Sequence, residues 1–203
     1  MSRYTGPRLK VMRALGVELP GLSRKSIEKR PHPPGQHGGK MRKKSEFGAQ
    51  LQEKQKIRYN YGLGEKQLRR LIVEAERSKD PTGEKLIELA ERRLDNVVFR
   101  AGFAPTGIAA RQLVRHGHIR LNGRRIDIPS ARVKPGDVIS LSERGQRIPM
   151  VTETLAEPAL RRPEWISFDE QAHTATIART PSADEAPFPI DLKQVVEYYA
   201  NRL

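Results

Sequence analysis

The chain has 203 residues, with 38 Lys and Arg against 24 Asp and Glu, a formal net charge of +14 and no cysteine. The missing thiols exclude disulfides, thiolate nucleophiles and cysteine-held zinc, and no apolar run approaches the roughly twenty residues that a membrane-spanning helix needs. The opening MSRYTGPRLK has no apolar stretch behind its charges, so a secretory leader is not expected; an isoelectric point near 10.4 points to a polyanionic partner, nucleic acid before an acidic membrane surface.

Residues 1–45 read as a loop-rich basic arm, interrupted by Pro7, Pro20, Pro31, Pro33 and Pro34 and then by Gly35, Gly38 and Gly39. It offers too little apolar area to fold alone and is expected to stay extended until a partner orders it. Residues 31–40, containing Gln36, His37 and Lys40, allow close backbone approach to a phosphate chain, with Arg42, Lys43 and Lys44 beside them. Ser45 is expected to cap a helix reaching about residue 59 that carries Lys54, Lys56 and Arg58. A second helix is expected over about residues 64–78, because Leu68, Leu71, Ile72 and Ala75 recur at i, i+3, i+4 and i+7. Asp80-Pro81-Thr82-Gly83 marks a break and restart. A third helix is expected over about residues 84–100, with Leu86, Ala90, Leu94, Val97 and Val98 on its apolar stripe and Gly102 and Pro105 ending it. Thr106 is placed to cap a short helix through about residue 116, with Ala110, Leu113 and Val114 turned inward.

At Gly117 the period changes. Ile119 and Leu121 alternate with His118 and Arg120, and Ile126 and Ile128 alternate with Arg125 and Asp127. Asn122-Gly123 between them is a strong hairpin signal, since both residues tolerate positive φ. Lys134-Pro135-Gly136-Asp137 reads as a type II turn before a strand over residues 138–141. Residues 142–162 are weakly helical, residues 165–168 and 174–178 are expected to pair as a second hairpin, and a closing helix is expected over about residues 191–201, with Val195, Val196 and Tyr199 on its apolar face.

The charge is blocky. Residues 1–60 carry net +11, residues 61–91 net −1, residues 92–150 net +8 and residues 151–203 net −4. A surface built for solubility would intersperse the signs. Within the second basic block, Arg111 and Arg115 are i, i+4 neighbours on a helix and are expected to share a face with Gln112 and His116. The hairpin adds His118, Arg120, Arg124 and Arg125, so helix and hairpin, joined by Gly117, are expected to make a concave basic corner. Arginine forks grip phosphate oxygens with two bonds at once, and a rigid corner reads backbone shape, which is how folded RNA is recognised. Aromatic residues are 5% of the chain and none interleaves with these basics, which argues against a stacking platform for single strands.

These residues resemble the S-four RNA-binding domain. The matching runs are residues 93–100 (RLDNVVFR), residues 110–119 (ARQLVRHGHI), Leu121-Asn122-Gly123-Arg124-Arg125, Pro129-Ser130 and Pro135-Gly136-Asp137. The flanks, among them residues 3–7 (RYTGP), 33–38 (PPGQHG), 53–56 (EKQK), Tyr61-Gly62 and 195–199 (VVEYY), are similar to the small-subunit ribosomal protein S-four family; the form of residues 21–25 (GLSRK) is most like its cyanobacterial and plastid members. The resemblance implies an α+β fold: a helical domain with an inserted S-four RNA-binding domain, short helices packed on a small, mostly antiparallel sheet, and an extended basic N-terminal arm. The expected boundaries are residues 1–45 for the arm, 46–91 for the helical domain completed by a C-terminal helix in 179–203, and 92–178 for the inserted domain. It further implies direct binding to the 5′ domain of small-subunit ribosomal RNA, nucleation of subunit-body assembly, and influence on decoding accuracy. The implied partners are the ribosomal proteins S-five, S-twelve and S-three and messenger RNA near its entry channel, without a membrane. The implied location is on cytoplasmic ribosomes, or in the plastid stroma for a plastid-encoded chain. The RNA-binding residues so expected are Arg3, Tyr4, Arg8, Gln36, His37, Lys40, Arg42, Lys43, Lys44, Lys54, Lys56, Arg58, Arg93, Thr106, Arg111, Gln112, Arg115, His116, His118, Arg120, Asn122, Gly123, Arg124, Arg125 and Lys134. Many bacterial members hold zinc with cysteines near the N-terminus; Leu9 and Met12 stand at two of those positions, so no metal or other cofactor is expected and the arm must be held by packing and RNA.

Other readings are weaker. Ser26-Ile27-Glu28-Lys29 matches a Ser-x-x-Lys catalytic pair whose partner motifs are absent. Residues 35–40 have the wrong spacing for a phosphate loop, with Met41 in place of the required hydroxyl. His116 and His118 sit among arginines that repel a metal cation, and His32 and His37 lack further ligands. Asp95 is expected to orient Arg92 or Arg111 rather than to do acid–base chemistry. An RNA-modifying enzyme that uses such a domain for targeting, and a free RNA chaperone, stay as alternatives to a ribosome-resident, non-catalytic protein.

Overall fold

A computed structural model describes residues 4–40 and 43–200. The chain divides into two compact units. One runs to Leu86 and resumes at Ala186; the other is Ile87–Glu185.

The first unit is helical. Helix α1 (Arg8–Leu15) begins after Pro7, whose backbone is extended, and ends at Gly16 in the left-handed region at φ 67. Pro7 and Pro20 therefore bracket a helix instead of preventing one. Met12, Leu19 and Leu22 are buried, and the Leu19 N–H points at the Met12 sulfur at 3.4 Å. The arm expected to be extended is thus folded at its start, because these three apolar side chains find a core. Gly21 is required there: a Cβ would lie 2.2 Å from the Asn60 carbonyl oxygen, and its N–H donates to Asn60 Oδ1 at 3.0 Å. Helix α2 (Glu46–Asn60) starts where Ser45 accepts from the Gly48 N–H at 3.2 Å, as its position suggested. Helix α3 (Glu65–Glu76) buries Leu68, Leu71, Ile72 and Ala75, the stripe read from their spacing.

The expected third helix is two helices. Helix α4 (Thr82–Glu91) stops and α5 (Leu94–Arg100) restarts, with Arg93 extended at φ −68 and ψ 136. Residues 92–95 leave the helix to pair with a loop: Leu94 N–H donates to Ala131 O at 2.8 Å, Val133 N–H to Arg92 O at 2.9 Å, and Asp95 N–H to Pro129 O at 3.1 Å. The apolar stripe runs on in phase across the break, so periodicity alone could not reveal it.

The second unit continues with α6 (Gly107–Arg115), capped by Thr106, whose hydroxyl accepts from the Ala109 N–H at 3.2 Å. Strands β1 (Ile119–Leu121), β2 (Arg124–Ile126) and β3 (Val138–Leu141) follow, then the short helices α7 (Glu143–Gln146) and α8 (Pro149–Ala156), and strands β4 (Ile166–Asp169) and β5 (Thr174–Ile177). The five strands form one antiparallel sheet in the order β2-β1-β3-β5-β4. Leu94, Val97, Val98, Phe103, Val114 and Trp165 are among the side chains of its core. Asn122 at φ 50 and Gly123 at φ 78 close the β1–β2 hairpin with two positive φ values. Gly136 at φ 89, with Asp137 N–H donating to Lys134 O at 3.1 Å, forms the type II turn. Strand β2 ends at Ile126, so the alternation stops there and Ile128 is 56% exposed.

The chain returns to the first unit and ends in α9 (Leu192–Ala200), which packs on α2. The Tyr199 hydroxyl donates to Glu65 Oε1 at 2.8 Å, Gln50 Nε2 donates to Glu197 at 3.3 Å, and the Asp191 N–H donates to Glu53 at 3.0 Å.

Candidate nucleic-acid interface

Within the second unit, the end of α6 and the β1–β2 hairpin meet at Gly117. Helix α6 delivers Gln112, Arg115 and His116 to the surface, and all three are exposed. Gly117, at φ 72, turns the chain into β1; a Cβ on it would lie 2.3 Å from Arg125 Nε, so the Arg125 guanidinium rests directly on this glycine. Two backbone bonds fix the turn: His118 N–H donates to Leu113 O at 3.0 Å, and Ser142 N–H donates to His118 O at 2.8 Å. The rings of His116 and His118 meet edge to face with centroids 6.2 Å apart.

On the hairpin, Arg120 stands opposite Arg125 and Leu121 opposite Arg124, and the three arginines are exposed. Like charges directly across a ladder destabilise it, so this placement serves something other than the hairpin. Arg144 on α7 adds a further cation. Burial first, then the charges of His116, Arg125 and Arg144, lowers the pKa of His118 below its ordinary 6.5. The imidazole is therefore neutral at pH 7 and held in a positive field. At the hairpin tip Asn122 Oδ1 accepts from the Val138 N–H at 2.8 Å while its Nδ2 donates to Asp137 Oδ1 at 2.8 Å. Asp137 Oδ2 also accepts from the Lys134 N–H at 2.7 Å, which brings Asn122, Gly123 and Lys134 to one end of the sheet.

Some expected residues work differently. Arg111 and Arg115 divide their roles. The Arg111 guanidinium donates from Nη2 and Nε to Asp95 Oδ2 at 2.6 and 2.9 Å, whereas Arg115 is exposed. Asp95 is 4% exposed in its side chain and also takes a two-bond fork from Arg93, at 3.1 and 2.9 Å. Asp95 does orient Arg111; its second arginine is Arg93. Arg92 instead pairs with Glu88 at 2.8 Å and donates to Val133 O. Arg93 is 5% exposed and Lys54 4%, and in this fold both side chains are buried in ion pairs. Lys54 pairs with Glu65 at 2.8 Å and lies over the Tyr198 ring, and Lys56 is largely enclosed and pairs with Glu53 at 2.6 Å. Thr106 caps α6. Arg58 lies over the ring of Tyr59, which Tyr4 meets edge-on. Arg8, Gln36, His37, Lys40, Lys43 and Lys44 are exposed in the first unit. Arg3 and Arg42 lie outside the described residues. Arg144 escaped the sequence reading because it sits in a four-residue helix; the signal was Ser142 as an N-cap, which accepts from the Gly145 N–H at 3.1 Å.

Comparison with known proteins shows the family. The ribosomal protein S4/S9 N-terminal domain matches residues 3–91 and the S4 domain matches residues 92–139. Over the full length of both chains, the protein is 67% identical to the small ribosomal subunit protein uS4 of Methylobacillus flagellatus and 62% identical to uS4B of Nitrosomonas europaea. It is 46% identical to uS4 of Synechococcus. The whole chain is thus more similar to the first two relatives than to this cyanobacterial one. By both domain matches and full-length identity, the chain belongs to the uS4 family of small ribosomal subunit proteins.

Proposed function

We propose that this protein is a structural, non-catalytic constituent of the small ribosomal subunit that binds ribosomal RNA. The observation that carries the reading is the corner at the α6–β1 turn, where Arg115, Arg120, Arg124 and Arg125 are exposed and two of them oppose each other across a ladder. A phosphate backbone between such arginines relieves their mutual repulsion, so the site is unfavourable alone and favourable when filled. The corner sits on a sheet and a helix anchored in a buried core, which suits shape recognition of folded RNA. Residues 92–178 act as the RNA-binding domain and residues 46–91 with 179–203 as the helical domain. By the same reading, the RNA is the 5′ domain of the small-subunit ribosomal RNA, and binding nucleates assembly of the subunit body and contributes to decoding accuracy. The partners follow: ribosomal proteins S-five, S-twelve and S-three, and messenger RNA at the entry channel, on cytoplasmic ribosomes. No observation favours a modifying enzyme or a free chaperone.

The test is reconstitution. Protein with Arg115→Gln, Arg120→Gln, Arg124→Gln and Arg125→Gln, checked for a native melting temperature, is mixed with small-subunit ribosomal RNA and the remaining subunit proteins. The parent should sediment stoichiometrically with the particle and the variant should be depleted from it. Equal incorporation of both would remove the corner from the account.

A further inference from the structure

Residues 61–91 have a net charge of −1 and look neutral in sequence. On α3 four cations gather opposite the buried side. Leu68, Leu71, Ile72 and Ala75 occupy the buried side. At 100° per residue, Lys66, Arg69, Arg70 and Arg77 all fall on the opposite side, together with Val73 and Glu74. These six residues line one open concavity, and the four cations are exposed. Among the described residues none of Lys66, Arg69, Arg70 and Arg77 has a carboxylate within ion-pair distance.

Helix stability explains the arrangement only in part: Glu65 and Arg69, and Arg70 and Glu74, are opposite charges at i, i+4, but Lys66 has no such partner. Lys66 lies in the first turn, where the helix dipole disfavours a cation. Lys66 and Arg70 are like charges at i, i+4, and Lys66 and Arg69 at i, i+3; both spacings weaken a helix by a few tenths of a kcal/mol. The face carries no aromatic residue on which a base could stack. A rigid row of cations about 16 Å long, without a stacking surface, matches the backbone of a duplex better than a flexible single strand.

We propose that the outer face of α3 is a second RNA-binding surface, which holds phosphates of a double-stranded RNA helix through Lys66, Arg69, Arg70 and Arg77. The proposal rests on the reading of the chain as a ribosomal RNA-binding protein and adds a contact independent of the α6–β1 corner.

The experiment compares the full-length parent with a Lys66→Gln, Arg69→Gln, Arg70→Gln, Arg77→Gln variant. Glutamine has nearly the same helix propensity as lysine and arginine, so α3 should persist, and circular dichroism and the melting temperature check this. Each protein is titrated across a fourfold range of salt against two probes: the 5′-domain fragment of small-subunit ribosomal RNA and a plain RNA duplex of equal length. If about three phosphate contacts are lost, the logarithmic salt slope should fall by roughly two to three, so across that range the variant loses about 20- to 40-fold less affinity than the parent. The milder Arg69→Gln, Arg70→Gln pair should show about half the change in slope, and it decides the matter should the fourfold variant unfold. Parent and variants with equal affinity and equal slope on both probes would overturn the proposal. Failure of the ribosomal reading shows separately, as a parent that does not prefer the ribosomal fragment.

Discussion

Asp95 holds two arginines at once, Arg93 from its own helix start and Arg111 from α6, and is almost fully buried. Removing one member of a buried ion pair strands the other without a counter-charge, at a cost of about 3–5 kcal/mol. Asp95→Ala should therefore destabilise the protein by about that much in urea denaturation, whereas Arg115→Gln, at an exposed position, should change stability by less than about 0.5 kcal/mol. His118 makes a second prediction at this scale. Burial and neighbouring cations lower its pKa in the free protein. The unfolded chain then binds more protons than the folded one, so this group's contribution to stability is present above its ordinary 6.5 and is lost as the pH falls below it. If the corner binds RNA as proposed, an arriving phosphate would oppose that field, so RNA binding should take up a proton. Affinity should rise as the pH falls from about 7.5 toward 6, and His118→Gln should flatten that rise; an unchanged profile would separate His118 from the RNA.

The α6–β1 turn depends on one glycine. Gly117 is at φ 72 and its α-carbon lies under the Arg125 guanidinium. Gly117→Ala places a left-handed conformation on a residue with a Cβ and pushes Arg125 aside, so stability should fall by about 1–2 kcal/mol and RNA affinity should fall with it. In the first unit, Glu65 joins α3 to α2 and α9. Desolvation pushes its pKa up, but hydrogen bonds from Lys54 and Tyr199 outweigh that and hold it below 4.5. The stabilisation is complete above 4.5 and is lost as the pH falls through the lowered value, so Glu65→Gln should reduce acid sensitivity in this region. Burial first, and then the bond to Glu65, pushes the Tyr199 phenol far up, so it stays a donor throughout. Elements with a local chemical signature were legible in sequence. Asn122-Gly123 fixed a hairpin, Ser45 and Thr106 capped helices, and the apolar spacing on α3 marked its buried side. Elements decided by distant partners were not. The break at Arg93 arises from backbone pairing with residues 129–133, and α1 forms because Met12 is buried, neither of which a window along the chain contains.

Across the whole molecule, the blocks at +11 and +8 concentrate the positive charge, but block totals describe segments and binding is a property of faces. Lys54 and Arg93 lie in segments read as basic and are buried in ion pairs, while the cations of α3 lie in a block of net −1 and are exposed. Net charge thus pointed to the partner class, while the fold decides which of the cations are exposed. If six to ten phosphates are engaged, affinity should fall on the order of a thousandfold or more between 50 and 200 mM salt, by analogy with duplex DNA. The most direct measurement is a titration of the full-length protein at moderate salt, against the 5′-domain fragment of small-subunit ribosomal RNA and an unrelated folded RNA of equal length. The account predicts strong preference for the ribosomal fragment, reduced by the fourfold glutamine variant of the α6–β1 corner. Equal affinity for the two RNAs would contradict it, leaving a basic surface without the shape recognition claimed for it.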